Sequence, residues 1–399
     1  MTSPYDTDLG KTKANYQPLT PLVFLERAAS TFPDHPAIIH GKRRYSYAEF
    51  YTRSRRLASA LAARGIGKDD TVSVMLANTP AMLEAHYAVP MTGAVLHSIN
   101  TRLDPPVVAF MLDHAASKLI IVDTEFAPII REALAETEVE PTIINYRDLE
   151  CGVEGERLSD LDYEEVLASG DPNYDWKMPS DEWNAISLNY TSGTTGNPKG
   201  VVYHHRGAAL MCYANILATG MGAHPVYLWT LPMFHCNGWC FPWTLSVVAG
   251  THVCLRSVRA KAMYDAIADH KVTHLSGAPF VMSALLNAAE NERLELAVPV
   301  AFNHAAAPPP EAVLGAMAEA GFELTHLYGL TETYGPATIN EWHEEWDRLP
   351  PDERLSKRAR QGVRYVALEG LDVLDPETME RVPADGETIG EVMFRGNIV

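Results

Sequence analysis

Basic residues are scarce in this chain. Lysine and arginine number 32 against 51 aspartates and glutamates, which leaves a formal charge of −19. Nucleic-acid binding needs a basic footprint, so that class is excluded, and anionic membrane surfaces are disfavoured. Small anionic ligands stay open, because a local nest of backbone N–H groups binds phosphate even inside an acidic protein. Cysteine is equally sparse. The five residues, Cys151, Cys212, Cys236, Cys240 and Cys254, show no paired metal-ligand spacing. Such a count suits reduced thiols, and a cytoplasmic location is expected. No apolar run is long enough to span a bilayer. The opening residues, MTSPYDTDLGKTKANYQP, are polar and lack the apolar stretch of a secretory signal.

What is present is an ordinary globular composition, 47% hydrophobic and 21% charged over 399 residues, with room for two or three structural units. Residues 1–18 read as a loose arm. From residue 19 helical and strand patterns alternate. Thr20-Pro21 reads as a helix start before LVFLERAAS. Ser46 reads as the cap of a helix with its apolar stripe at Phe50, Leu57 and Leu61, ending at Gly65. Ala37–His40, Thr71–Leu76, Ala94–His97 and Lys118–Val122 read as strands, with helices opening at Thr79-Pro80 and near Pro106. The acidic, turn-rich stretch 146–184 reads as a connection. Strands are then expected at Ile186–Tyr190, Tyr227–Leu231, His252–Leu255, Val298–Phe302 and Glu323–His326, and helices near 238–248, 260–270, 278–289 and 310–320. This alternation implies an α/β fold, with mostly parallel sheets covered by helices. From Tyr365, short alternating strands predict a small β-barrel or β-layer. The expected division is an arm (1–18), a first α/β unit with its acidic connection (19–184), a second α/β unit (185–362) and the start of a small β unit (363–399).

The segment Tyr190–Gly200, YTSGTTGNPKG, continues the Ile186–Tyr190 strand. Gly193, Gly196 and Gly200 permit tight turns and positive φ. Thr191, Ser192, Thr194 and Thr195 supply hydroxyls, exposed N–H groups form an anion nest, and Lys199 adds a mobile point charge. The whole suits a polyphosphate. It is not a Walker A loop, because the GxxxxGK[ST] spacing is absent and Pro198 precedes the lysine. A plain flexible linker seldom combines these residues in this order between two strands.

The loop closely resembles the signature loop of the adenylate-forming superfamily, which includes acyl-CoA synthetases, beetle luciferases and peptide-synthetase adenylation domains. The resemblance covers nearly the whole chain. It implies that Thr191, Ser192, Gly193, Thr194, Thr195, Gly196 and Lys199 hold the β- and γ-phosphates of ATP. Tyr328-Gly329-Leu330-Thr331-Glu332-Thr333 resembles the second signature of that family. By that likeness Glu332 offers an oxygen ligand to Mg²⁺, Thr331 a hydroxyl to the α-phosphate and Tyr328 a flat face to adenine. Without the upstream loop, the same residues would read as a capped helix start. His326 and Gly329 are placed with the nucleotide on the same ground. Ala305 to Pro310 (AAAPPP) stands where the family has a Gly-Gly-Ala-Pro-type turn, so Ala306, Ala307 and Pro308 are expected near adenine. Two alanines replace the usual glycines there, and the turn's shape should differ. The segment also reads as a proline-initiated helix start.

Pro232 to Trp239 (PMFHCNGW) resembles the family's aromatic-histidine motif. His235 is expected to position the acyl carboxylate. Phe234, Asn237 and Trp239, with His304, Ala305 and Tyr328, are expected to border the acyl group. Trp239 either narrows the acyl tunnel, favouring a short or medium acid, or points into the core. The stretch from Ala359 to Asn397 resembles the branch holding short- and medium-chain acyl-CoA synthetases, aromatic-acid ligases and methylmercaptopropionate-CoA ligases.

The resemblance implies that a carboxylate attacks the α-phosphorus of ATP, an acyl adenylate forms and pyrophosphate leaves. A thiol, CoA in this branch, then takes the acyl group. Lys199, Thr331, Glu332 and His235 are the candidate catalytic residues. ATP, Mg²⁺ and CoA are expected beside a small carboxylic acid, and a homodimer is the candidate assembly. The family's Tyr-Arg-Thr-Gly-Asp-type segment, its hinge and its C-terminal lid domain are not in this chain. Weak nucleotide binding with an impaired complete cycle is therefore expected. Two other readings stay open: an adenylating enzyme that passes the acyl group to a carrier protein, and a nucleotide-binding module without catalysis.

Overall fold

A computed structural model of the chain describes residues 3–191 and 197–399. Local signals set several elements. Ser46 Oγ accepts from the Glu49 N–H, and the Glu49 carboxylate accepts from the Ser46 N–H at 2.8 Å, so helix Tyr47–Ala62 starts at a reciprocal cap. Pro80 opens helix Pro80–Met91 behind Thr79, where its missing N–H costs no hydrogen bond. Every residue of that helix is buried, because the helices Tyr47–Ala62 and Phe241–Val247 pack around it. Its one carboxylate, Glu84, is held by Arg53 Nε at 2.6 Å and by the Tyr163 hydroxyl at 2.5 Å. A buried carboxylate persists only with such partners.

Two sheets dominate. The first has six strands in the order Thr142–Tyr146, Ser117–Asp123, Thr71–Met75, Val95–Ser98, Ala185–Thr191 and Lys199–His204. All its pairings are parallel except the last. The second has nine strands. Its parallel centre runs Phe322–Leu330, Val300–His304, His274–Gly277, Val226–Leu228, Thr251–Val253 and Pro36–His40. Antiparallel strands Gly335–Ile339 and Arg43–Ser46 flank this centre, and Val363–Arg364 extends it beyond Gly335–Ile339. One apolar core joins the sheets, uniting Val72, Leu96 and Ile186 of the first with Ile38, Tyr227 and Leu327 of the second.

The sheets also share an ion cluster. Arg256 Nη1 follows strand Thr251–Val253 and reaches Asp123 at 2.6 Å and Asp148 at 3.0 Å, while its Nη2 meets Glu125. His40 donates to Asp148 at 2.9 Å. Asp123 ends a strand of the six-stranded sheet and His40 ends one of the nine-stranded sheet, so the cluster clips the two together.

The sheets cross the expected chain division. Ala185–Thr191 and Lys199–His204 complete the six-stranded sheet, and Pro36–His40 joins the nine-stranded one. The boundary expected at 184/185 therefore falls at the edge of a strand that belongs with the preceding residues. The acidic connection holds a short helix, Tyr163–Ala168, capped by Asp162. The helix expected over 238–248 begins only at Phe241, because the residues before it turn left-handed. Near the end of the chain, Gly370–Leu374 pairs with Glu391–Arg395 as a two-stranded sheet. Strand Lys199–His204 and the long helix His205–Thr219 are elements that the residue pattern did not announce.

Candidate active site

Both sheets direct the carboxyl ends of their parallel strands toward one place, where ligands of open α/β sheets are generally bound. Ser98 and Thr191 end two strands of the six-stranded sheet, while Leu231, Ala278 and Ala305 lie just beyond strands of the nine-stranded sheet. Two cavities open there. The first, about 490 Å³, is lined by Asn189, Thr191, Pro198 and Thr331 together with Val107 and Met111. The second, about 350 Å³, is lined by Arg102, Trp239, Ala305, Ala306, Leu330 and Pro336. Asn100, Phe234, His235 and Cys236 border both.

The dividing wall has an unusual backbone. Cys236, Asn237, Gly238, Trp239 and Cys240 have φ of 49°, 49°, 57°, 55° and 63°. Left-handed L-residues occur singly as a rule and cost about 1–2 kcal/mol each. Only Gly238 is exempt from that strain, and it also has no room for a side chain, since a β-carbon would meet Trp229 Cζ3 at 2.6 Å. The wall is uncharged at neutral pH. His235 reaches solvent through the cavities yet is ringed by protein atoms, and burial lowers its pKa. Burial pushes the Cys236 thiol up to about 11. Cys236 Sγ lies 3.7 Å from His235 Nε2 and 3.6 Å from Thr331 Oγ1.

The two signature segments are braced against each other. Thr191 pairs with Lys199 across the antiparallel strands that flank the loop. Along the second of those strands, the Tyr203 hydroxyl donates to the Thr331 carbonyl at 2.7 Å. Tyr334 stacks on Tyr203 with ring centroids 4.0 Å apart, and its hydroxyl accepts from the His204 N–H at 2.9 Å. The Thr331–Thr333 turn is thus tied to the strand that leaves the phosphate loop. Ser192, Gly193, Thr194, Thr195 and Gly196 lie outside the described residues. Lys199 and Glu332 are exposed at the site's edge.

Other expected residues distribute unevenly. Phe234, His235, Thr331, Trp239, Ala305, Ala306 and Gly329 line one cavity or both. Trp239 faces the second cavity rather than the core alone, with 6% of its surface exposed. Ala306 adopts φ 82°, so the turn keeps a glycine-like geometry with an alanine in it. Asn237 lines neither cavity, because its amide is buried in hydrogen bonds to Ser187, Asn189 and His86. His304 and His326 are buried and stacked on each other at 4.6 Å, with His326 Nδ1 donating to the Arg360 carbonyl. Neither histidine lines the two cavities. Tyr328 does not border the acyl-side cavity. It lines a third space of about 770 Å³ with Thr338, Gln361 and Gly362. Ala307 and Pro308 are exposed beyond the wall. Sequence reasoning passed over Asn189, Ser98 and Cys236. The first two follow from position, since strand carboxyl ends are where α/β sheets meet ligands.

The residues fit a metal ion carried in on phosphates rather than one caged by protein. No cluster of three or more His, Cys, Asp or Glu side chains suited to a metal occurs among the described residues. Glu332 stands alone and exposed beside Thr331, and Mg²⁺ is commonly held by one or two carboxylates together with substrate phosphates.

Two antiparallel strands flanking the glycine-rich segment, a braced Thr-Glu turn and two cavities meeting at a histidine thus stand together at the strand ends. The chain belongs to the AMP-binding enzyme family, whose model matches residues 25–399. It is 51% identical to the acetate/butyrate–CoA ligase AAE7, peroxisomal, of Arabidopsis thaliana, covering 98% of this chain and 71% of that protein. It is 48% identical to the acetate–CoA ligase CCL3 of Humulus lupulus, again over 98% of this chain and 71% of the relative. The inhibitor-bound N-terminal domain of FACL13 from Mycobacterium tuberculosis shares the fold with a TM-score of 0.80 at 24% identity, over 96% of this chain and 90% of that one. The anthranilate CoA ligase AuaEII in complex with anthranoyl-AMP matches with a TM-score of 0.82 at 21% identity, over 97% and 72%.

Proposed function

We propose that this chain provides the nucleotide- and acyl-binding portion of an ATP-dependent ligase that converts a short carboxylic acid to its acyl adenylate and then to its CoA thioester. The observation that carries this reading is the pair of cavities meeting at Phe234, His235 and Cys236. One is flanked by the phosphate-loop strands and Thr331, and the other, about 350 Å³, is lined mostly by apolar groups including Trp239, with Arg102 and Asn100 beside them. Relatives named acetate/butyrate–CoA and acetate–CoA ligases cover this chain almost end to end, which supports a small acid and CoA as the thiol.

In this reading Lys199 and the loop hydroxyls neutralise and orient the leaving phosphates. The Thr331 hydroxyl steadies the α-phosphate, and Tyr328 lies against adenine. Glu332 would hold Mg²⁺, which supplies charge neutralisation across the phosphates when bound. His235, kept neutral by its surroundings, orients the acid's carboxylate without adding charge to the wall. Alignment and charge stabilisation are the protein's contribution, since the bonds that change belong to ATP and the acid. No helix among the described residues is long and apolar enough to cross a membrane. We place the protein in the cytoplasm on its sparse thiols; the peroxisomal label of the Arabidopsis relative names the alternative.

The test is pyrophosphate release over a panel of acids with ATP and Mg²⁺, with and without CoA. Acetate- or butyrate-dependent release supports the reading, and thioester formation completes it. Release without transfer to CoA points to a carrier-protein thiol as acceptor. Nucleotide binding with no release for any acid overturns acid activation.

A further inference from the structure

The left-handed turn from Cys236 to Cys240 needs something to hold it, and the buried contacts around it point to Asn237. That residue is 0% exposed. Its Oδ1 accepts from Ser187 Oγ at 2.7 Å and from Asn189 Nδ2 at 2.8 Å, and its Nδ2 lies 3.2 Å from His86 Nε2. The sense of this chain is set at its far end. The Met82 carbonyl can only accept, so its 2.7 Å contact makes His86 Nδ1 the donor and leaves Nε2 an acceptor. Burial lowers the pKa of His86 to about 4, so a second ring proton is absent at neutral pH. Asn237 must then donate through Nδ2 and accept through Oδ1, and Asn189 must donate through its own Nδ2.

One consequence reaches the site. Asn189, 2% exposed, lines the first cavity, and its Oδ1 has no hydrogen-bond partner among the described residues. Ser98 Oγ, on the same cavity, is also without a partner there. The strands carrying them run parallel, with His97 opposite Leu188, so the two unpartnered polar atoms sit side by side on neighbouring strands. Beyond Asn237, the Trp239 carbonyl accepts from Asn215 Nδ2 at 2.8 Å, and Gly335 lies so close that a β-carbon added there would meet Trp239 Cβ at 3.0 Å.

We propose that Asn237 is a positioning residue: through the Met82–His86–Asn237–Asn189 chain it holds the left-handed turn that seats Trp239 in the acyl cavity, with Asn189 fixed in the sense that lets its Nδ2 donate to Asn237. The kinetic part of this inference rests on the acid-activation reading; the placement of Trp239 does not.

The experiment compares Asn237→Ala and Asn237→Asp with the unaltered chain. Trp239 emission is isolated as the difference between each protein and its Trp239→Phe counterpart. In Asn237→Ala the Trp239 emission moves to longer wavelength as the indole leaves its buried seat. In the pyrophosphate assay, KM for the acid rises about tenfold while KM for ATP changes by less than about threefold. Asn237→Asp keeps both acceptor contacts but cannot donate to His86, and it falls between the two. Should Asn237→Ala fail to fold, the isosteric Asn237→Asp carries the same comparison. Unchanged Trp239 emission overturns the proposal, and so does shifted emission with an unchanged KM for the acid. If the unaltered chain activates no acid, the acid-activation reading has failed and the emission shift alone decides the placement.

Discussion

Gly238 and Gly335 show what single residues contribute to this site. Gly238 is left-handed at φ 57°, and the space its β-carbon would fill is taken by the Trp229 ring. Gly335, at φ 125°, lets the strand after the Thr331–Thr333 turn lie directly on Trp239. An alanine at 238 meets both penalties at once, left-handed strain and overpacking. Gly238→Ala should therefore lower stability by at least about 2 kcal/mol in urea unfolding. A loss below about 0.5 kcal/mol would mean that the turn relaxes freely and is not a strained wall. Ala306 makes the complementary point. Its positive φ lies where a glycine would be unstrained, so the alanine changes the cost of that turn and not its path.

At the scale of elements, the Arg256 cluster decides how the two sheets stay together. Arg256 neutralises Asp123 and Asp148, whose side chains are fully buried. Burial raises the pKa of Asp123 despite the arginine beside it. For Asp148, burial pushes upward, but its hydrogen bond and charge interaction with His40 outweigh this and the net shift is downward. Arg256→Met leaves buried Asp123 without its cation and Asp148 with His40 alone, and should remove about 3–5 kcal/mol, measured by denaturant unfolding. Adding Asp123→Asn should restore part of it; no recovery would show that the arginine acts by packing alone.

Elements with a local signature were legible in the residue pattern, and those set by tertiary contact were not. The Ser46 and Glu49 cap and the Thr79-Pro80 start announce their helices because the capping chemistry lies within four residues. Helix His205–Thr219 does not. Its buried residues His205, Gly207, Ala208, Met211, Cys212 and Asn215 leave little of a polar face, and its cap is a histidine ring, His204 Nδ1 accepting from the Gly207 N–H. Pro36–His40 reads correctly as a strand, yet nothing in PAIIH tells which sheet it joins. The left-handed turn was out of reach for a related reason. Four of its five residues oppose their own backbone preference, and contacts from distant residues, Ser187, Asn189, His86, Asn215 and Gly335, fix them. In the site, Tyr190–Gly200 and Tyr328–Thr333 carry their family likeness in consecutive residues, which the residue pattern alone exposes. Asn237, His304 and His326 are placed at the site by the family resemblance, while the fold turns their side chains inward.

For the whole molecule, the buried histidines link stability to acidity. Burial lowers His86 and His205 to about 4, and His97, His252 and His304 to about 3, from an ordinary 6.5. Each is neutral in the fold at pH 5 and protonated in the unfolded chain. Unfolding then takes up protons, so stability falls as pH drops below about 6.5 toward these folded values. Glu84 and Asp123, raised by burial, act in the opposite sense, but they are two groups against five. The melting temperature should be lower at pH 5.5 than at pH 7.5 by several degrees, about 1.4 kcal/mol being at stake per shifted pKa unit. A flat or rising melting temperature on acidification would contradict this.

In the proposed function, one of the two cavities that the sheets build together takes an acyl adenylate's phosphate end and the other its short acyl chain. Calorimetric titration of this chain with non-hydrolysable acyl-adenylate analogues, from acetyl through butyryl to long-chain acyl, tests it directly. The account predicts that the acetyl and butyryl analogues bind at least about tenfold more tightly than AMP, because the acyl group gains its own apolar cavity. It predicts that long chains lose that gain against Trp239. Equal affinity for AMP and every analogue, or tightest binding of the longest chain, would contradict it.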